Sequence, residues 1–379
     1  MSTPIKLGPF LGVNNRLRPN ELQVKNVGAY LESGVNVDVN PAGRLVRRGG
    51  YTLATSLNAA HSLWSDGVNK YYCASGMLYR DGVSIASVAG RCSYDVYPGG
   101  GVVFSDTAEV NYVSAAGAVS LLAPGTPSAP TLAATSGSLQ PATYLVAISA
   151  VDSAGVEGGA CAFQAQTLAT TGGITVTLPS MPAGGATFNV YVTGPNGEIP
   201  TLHGSTVSAT YTISSYAADQ TLAVTSLAQM PAGDIVRIQN GRLLVASGNA
   251  LYISEAYNFG LYDRSLGYIL FPADIAVMEP TQNGTYVAAD KTYWIAGADP
   301  RAVEAFVEVL PYGGIAGTGT RNPTKQIVAW MSPKGVVVAD EQGQVKNLQE
   351  EALALNVPGT RGATLVDSDG SRILVVTNG

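Results

Sequence analysis

The chain has 379 residues, enough for two or three domains that each bury a core of their own. Charged residues are 13% against 46% hydrophobic, with 44 glycines and 21 prolines, so turns should be numerous, helices scarce and much of the surface uncharged. A net charge of −6 argues against a protein that coats nucleic acid, and two histidines, His61 and His203, leave little room for metal or triad chemistry.

Taken from the start, "MSTPIKLGPFLGVNN" has no apolar core of signal-peptide length, and no later segment approaches a membrane span. The expectation is a protein made in a cytoplasm, without a membrane anchor. Residues 1–53 read as an N-terminal arm leading into a first β-sheet unit, with one helical piece expected near Asn20–Leu31. Within the arm, "GVNVDVNPAGRLVRRGGYTL", Gly34 to Leu53, reads as a hairpin turning at Asn40-Pro41. Arg47 and Arg48 alternate faces of its second strand, so they cannot serve one basic patch. One is expected to pair with Asp38 across the turn and the other to face a partner.

Residues 54–125 change to a period of two. "KYYCASGMLYRDGVSIASV" alternates in short runs broken by Ser75-Gly76 and Asp81-Gly82, pairs that accept the positive φ of tight hairpins. The same grammar returns in residues 229–379, in "NGRLLVASGNALYISEA", "GTYVAADKTYWIAG", "KGVVVADEQGQVKNL" and "GATLVDSDGSRILVVTNG". Recurrence every 40 to 50 residues or so is the spacing of β-propeller blades. A second short helix is expected at "LQEEALAL", Leu348–Leu355.

Between the two runs, residues 126–228 open with a Pro/Ser/Ala linker and continue with the alternating "TYLVAISAVDSAGVEG" and "FNVYVTG". This spacing suits a seven-stranded sandwich resembling fibronectin type III modules, inserted at a loop of the propeller. The fold class expected is therefore all-β: a β-propeller interrupted by an inserted fibronectin III-like β-sandwich.

Several motifs invite chemistry and are better read as structure. "YGGIAGTGTRNP" lacks the lysine and following helix of a phosphate loop and reads as a connection between blades. Asp263, Asp274, Glu279 and Asp290 are scattered at turns with no glycosidase pair among them. Asp367 and Asp369 fall short of a calcium loop. Cys73, Cys92 and Cys161 fit neither zinc spacing nor a disulfide framework and are expected as buried thiols. Most of the 19 tyrosines are expected to pack between blades. No catalytic, cofactor or metal site is expected, and no enzyme.

Residues 8 to 53 resemble the opening of the tail nozzle, or tail hub, proteins of short-tailed bacteriophages, where "GxxN…A.NVDV…GxLxRRPGYT" leads into the first propeller blade. Asn36, Val37, Asp38, Gly43, Leu45, Arg47, Arg48, Gly50 and Tyr51 match as they stand, and Gly49 replaces a common proline. "ASGMLYRDGVSIASVAGRCSYDVYPGGGVVF" and "YGGIAGTGT" are similar to later stretches of the same pattern. The resemblance implies a virion tail protein forming a homo-oligomeric ring, a hexamer by analogy. Such a ring would bind a head-to-tail adaptor or portal and a tail fibre or distal tail protein, while DNA passes without sequence-specific binding. It also implies a last blade closed by the N-terminal strand, or a small ring of blades. Arg16, Arg18, Asp38, Arg47, Arg48 and Tyr51 are the interface candidates. The alternative is a carbohydrate-binding or glycan-cleaving β-propeller with a fibronectin module.

Overall fold

The computed structural model describes residues 8–49, 56–217, 224, 226–297, 299–302, 306–354, 361–368 and 371–378. Every regular element among them is a strand. The two expected helices do not form. Over Asn20–Leu31, Asn26 adopts a left-handed φ of 64° and turns one short strand back on another. Residues 348–354 bend and turn without forming a helix, as suits an apolar-acidic run too short to hold one alone, and Leu355 lies outside the described residues. The protein divides into two compact units, His61–Phe271 and the paired segments Met1–Ala60 and Pro272–Gly379.

The arm contributes β1 (Phe10–Val13), β2 (Gln23–Val24) and β3 (Gly28–Leu31), ordered β1-β3-β2, then the hairpin β4 (Val37–Val39) and β5 (Leu45–Arg47). β1 runs parallel to β3, so it is spent inside the arm and does not complete a later sheet.

In the unit His61–Phe271, β6 (His61–Ser65), β7 (Lys70–Ala74), β8 (Met77–Arg80) and β9 (Val83–Ser87) form a four-stranded antiparallel meander. Its turns need residues that tolerate positive φ: Ser75 and Gly76 sit at 51° and 76°, Asp81 and Gly82 at 50° and 90°. These are the paired left-handed positions of two-residue hairpins. A second meander follows, β10 (Ser93–Val96), β11 (Val102–Ser105), β12 (Val110–Val113) and β13 (Val119–Leu121). The two share a core of Tyr71, Cys73, Leu78, Tyr94, Val102, Phe104 and Val113.

The chain then leaves the meanders for a seven-stranded sandwich: β14 (Thr131–Leu139), β15 (Ala142–Val151), β16 (Gln164–Leu168), β17 (Gly172–Thr177), β18 (Thr187–Thr193), β19 (Pro200–Thr206) and β20 (Thr210–Ile213). One sheet is ordered β14-β17-β20 and the other β16-β15-β18-β19. Alternating inward residues such as Tyr144, Val146 and Ile148 on β15 meet Ile174 and Val176 on β17 in a common core. Each such burial contributes about 1.5–3 kcal/mol.

After β21 (Leu227–Gln229), a third meander forms from β22 (Ile235–Gln239), β23 (Arg242–Ser247), β24 (Ala250–Glu255) and β26 (Tyr268–Leu270), while β25 (Asn258–Asp263) joins β24 to β21. The third meander packs on the second, across the sequence distance occupied by the sandwich. Val103, Val110, Val236, Ile238, Leu243 and Val245 make that core. Buried Asp95 accepts the Ile238 N–H at 2.5 Å, and Ser105 Oγ both donates to the Gly233 carbonyl (2.8 Å) and accepts its N–H (3.0 Å). The strands of the sandwich thus fall, in sequence, between two meanders that share a core.

In the other unit, the fourth meander is β27 (Val277–Pro280), β28 (Gly284–Ala288), β29 (Thr292–Ala296) and β30 (Phe306–Leu310). The fifth is β31 (Thr320–Arg321), β32 (Ile327–Ser332), β33 (Gly335–Asp340) and β34 (Val345–Asn347). They meet over Val277, Tyr286, Trp294, Val328, Trp330 and Val337. The glycine-dense stretch at 312–323 connects them, and Gly313 passes so close to the Ala289 carbonyl that a side chain there has no space. A final antiparallel hairpin comprises β35 (Arg361–Ser368) and β36 (Ser371–Asn378).

Candidate functional site

The residues singled out for assembly fall in the arm, whose folding begins at one turn. Asn40 Oδ1 accepts the Ala42 and Arg44 N–H groups at 3.1 and 2.9 Å, and the Gly43 N–H donates to the Asn40 carbonyl at 2.8 Å. Gly43 lies at φ 71°, and a Cβ there would come within 2.6 Å of Pro9, so only glycine fits both conformation and space. The turn sets the register Val37↔Arg47, Asp38↔Val46, Val39↔Leu45.

That register brings Arg48, one residue beyond β5, onto Asp38. Its guanidinium donates to Asp38 Oδ1 from Nη2 at 2.8 Å and from Nε at 3.2 Å. The hydrogen bonds from Arg48 hold the Asp38 carboxyl below the usual carboxylate range. The expected pairing across the turn is thus present, with Arg48 as the partner. Arg47 is exposed, and among the described residues no hydrogen bond or ion pair engages its side chain. Tyr51 lies outside the described residues.

Nearer the start of the arm, Asn14 is buried and its Oδ1 accepts the Arg16 and Leu17 N–H groups at 3.1 and 3.2 Å. The next residues dock on the turns that follow β34. Asn15 donates to the Ala354 carbonyl at 3.0 Å and accepts the Ala354 N–H at 2.9 Å, while the Arg16 guanidinium donates to the Glu350 carbonyl. Arg16 therefore anchors the arm within its own unit. The Arg18 N–H donates to Glu21 Oε2 at 3.2 Å, and its exposed guanidinium has no partner among the described residues.

Two properties set the arm apart. Between residues 8 and 49 only Asn14 is buried, and Val27, Val35, Leu45 and Val46 are exposed, Val35 to 80%. The same stretch carries six Lys/Arg against three Asp/Glu, in a chain of net charge −6. A shallow groove of about 660 Å³ runs between Pro9–Gly12 and Val39–Gly43. Basic charge and uncovered apolar side chains on a surface without a core are the makings of an interface.

Several of the residues set aside as structural have partners within the fold. Asp263 Oδ1 caps the Ser265 and Leu266 N–H groups at 2.7 and 3.1 Å, and Tyr293 donates to Asp290 at 3.0 Å. Glu279, 1% exposed, faces Arg321 at 3.9 Å. His203 bridges Tyr211 and the Ser215 carbonyl within the sandwich. Tyr71, Tyr94, Tyr144 and Tyr286 are buried, and Tyr72 stacks on Tyr79 with ring centroids 5.2 Å apart, whereas Tyr257 is 81% exposed. No group of three or more His, Cys, Asp or Glu among the described residues is placed to hold a metal ion.

Sequence reasoning missed two arrangements. Glu157 gathers Ser149, Asn189 Nδ2 (3.2 Å) and the Tyr191 hydroxyl (2.6 Å), and burial together with this carboxylate raises the Tyr191 pKa. Cys73 and Cys92, expected as separate buried thiols, have their sulfurs 3.3 Å apart, and Cys92 is only half-buried. Neither has a motif; both depend on long-range strand pairing.

No family model and no curated protein matches the chain. Among solved structures it is similar to the β-propeller domain of Myceliophteria thermophila Cps50 (Swd1), at 9% identity over 83% of this chain and 91% of that one, TM-score 0.31. It is similar also to the N-terminal domain of Nup159, at 12% identity over 83% and 72%, TM-score 0.31. Saccharomyces cerevisiae Sqt1 follows at 10% identity over 85% and 97%, TM-score 0.24. Superposition at these scores is slight, and the architecture rests on the strand pairing described above.

Proposed function

We propose that this chain is a structural protein that assembles, through its N-terminal arm, into a homo-oligomeric ring in the tail of a short-tailed bacteriophage. The observation that carries the assembly half of this reading is the arm itself: residues 8–49 bury one side chain and leave Val27, Val35, Leu45, Val46, Arg18 and Arg47 exposed. The tail half rests on the motif that runs from Asn36 to Tyr51. Five serial meanders suit a β-propeller body.

In this role the work is interfacial. The ring joins an adaptor or portal on one side and fibres or distal tail parts on the other, and DNA passes through it. A net negative chain with few cations keeps phosphate contacts few, so passing DNA is not held. The inserted sandwich is read as fibronectin-like, on its four-plus-three strands and on the Tyr144 hydroxyl that donates to the Gln140 carbonyl four residues upstream, at 3.0 Å.

Negative-stain images of the purified protein provide the test. Closed rings of uniform copy number are expected; isolated particles at every concentration would overturn the proposal. Release of reducing ends from polysaccharides would instead favour a glycan-cleaving propeller.

A further inference from the structure

Within the core shared by the first and second meanders, two thiols are in contact. Cys73, on β7 opposite Leu78, is inaccessible to solvent. Cys92 lies in the link between β9 and β10, where its N–H donates to Ser62 Oγ at 3.0 Å, and it is half-buried. The sulfurs are 3.3 Å apart, and the Tyr94 hydroxyl lies 3.3 Å from Cys73 Sγ. A disulfide requires about 2.05 Å between sulfurs, so the closing movement is on the order of an ångström. Cys161 differs: it sits in the sandwich core, accepts the Ile148 N–H at 3.2 Å, and has no second thiol near it among the described residues.

We propose that Cys73 and Cys92 are a redox-responsive dithiol that closes to an intrachain disulfide, fastening the middle of the first meander to the start of the second. The oxidant is a small disulfide such as oxidised glutathione. Cys92, the accessible sulfur, attacks it, forms a mixed disulfide and releases one thiolate, its proton passing to Cys73 across the contact. Cys73 then attacks the Cys92 sulfur of the mixed disulfide, and its proton leaves with the second thiol as that is expelled. One disulfide is reduced to two thiols as the protein loses two hydrogens. In the reduced pair, hydrogen bonds from Cys92 and Tyr94 favour the Cys73 thiolate, which makes Cys73 the ready acceptor of the Cys92 proton in the first step.

The test is oxidation of the full chain with oxidised glutathione, followed by acid quench, alkylation in denaturant and tryptic mapping. Trypsin cleaves after Lys70, Arg80 and Arg91 and so separates Cys73 from Cys92, and a second digestion with a glutamyl endopeptidase, after Glu109 and Glu157, separates Cys92 from Cys161, which share one tryptic peptide. The expected result is a mass lower by two hydrogens, one cross-linked pair joining Cys73 to Cys92, and Cys161 as the only thiol that alkylates. In Cys73→Ser the same treatment should leave glutathione trapped on Cys92. Three alkylatable thiols after oxidation, a stable glutathione adduct on the natural chain, or a link that includes Cys161 would overturn the proposal. Should Cys73→Ser fail to fold, the map of the natural chain decides alone.

Discussion

In the first two meanders Tyr71, Cys73, Leu78 and Phe104 are all but inaccessible, whereas the arm, built from strands and turns of the same kind, buries Asn14 alone. The difference lies in what each sheet faces. A meander has a neighbouring meander to receive its apolar face, so alternation along a strand is converted into a core. The arm's apolar side chains at Val27, Val35, Leu45 and Val46 have no such receiver in the described chain. The buried core and the uncovered apolar surface thereby lie in different regions, and a substitution should reveal which region it touches by what it damages.

The largest effect is expected at the centre of a meander core. Trp330 is fully buried between the fourth and fifth meanders, and Trp330→Ala should cost about 3–5 kcal/mol in a denaturant melt. Val35→Ala in the arm, by contrast, should stay within about 0.5 kcal/mol. Equal losses at the two positions would erase the comparison.

Next in size is the polar fastening between the second and third meanders. Asp95→Ala removes the carboxylate oxygen that the buried Ile238 N–H reaches and should cost about 1–3 kcal/mol in the same melt. Asp95→Asn, which keeps one oxygen, should cost less. If both are silent, the packing of the third meander on the second does not depend on this contact.

The smallest effect belongs to the Asp38–Arg48 pair, since both side chains are more than half exposed and salt screens them. Its sign is fixed all the same. Asp38 is depressed in the folded chain, so its contribution is full above the unfolded carboxylate pKa and is lost as pH falls through the lower, folded value. Thermal melts of the natural chain and Asp38→Asn should differ slightly near neutrality and converge in acid. A gap that widens in acid would reverse the assignment.

Much of this architecture is legible in the sequence because hairpins are local. Ser75-Gly76, Asp81-Gly82 and Asn40-Pro41-Ala42-Gly43 specify their turns by their own φ preferences, and each forms where the residues place it. The Arg48–Asp38 pair follows, since a hairpin's register is set by its turn. The two expected helices fail for the opposite reason: their short apolar runs carry no strong period, and Asn26 breaks the first. Arg16, an interface candidate on its sequence, also reaches a carbonyl more than three hundred residues away, a contact no local pattern encodes. Cys73 and Cys92 illustrate the same limit, because only the packing of one meander on the next brings their sulfurs together.

The central claim is that the arm exists to be covered by another copy of the chain. Sedimentation velocity of the natural protein beside a Val35→Asp, Val46→Asp double variant tests it most directly. A closed oligomer of one size for the first, and a folded monomer with an unchanged melt for the second, is the predicted result. A natural chain that stays monomeric at every concentration, or a variant that assembles as well as its parent, would contradict it.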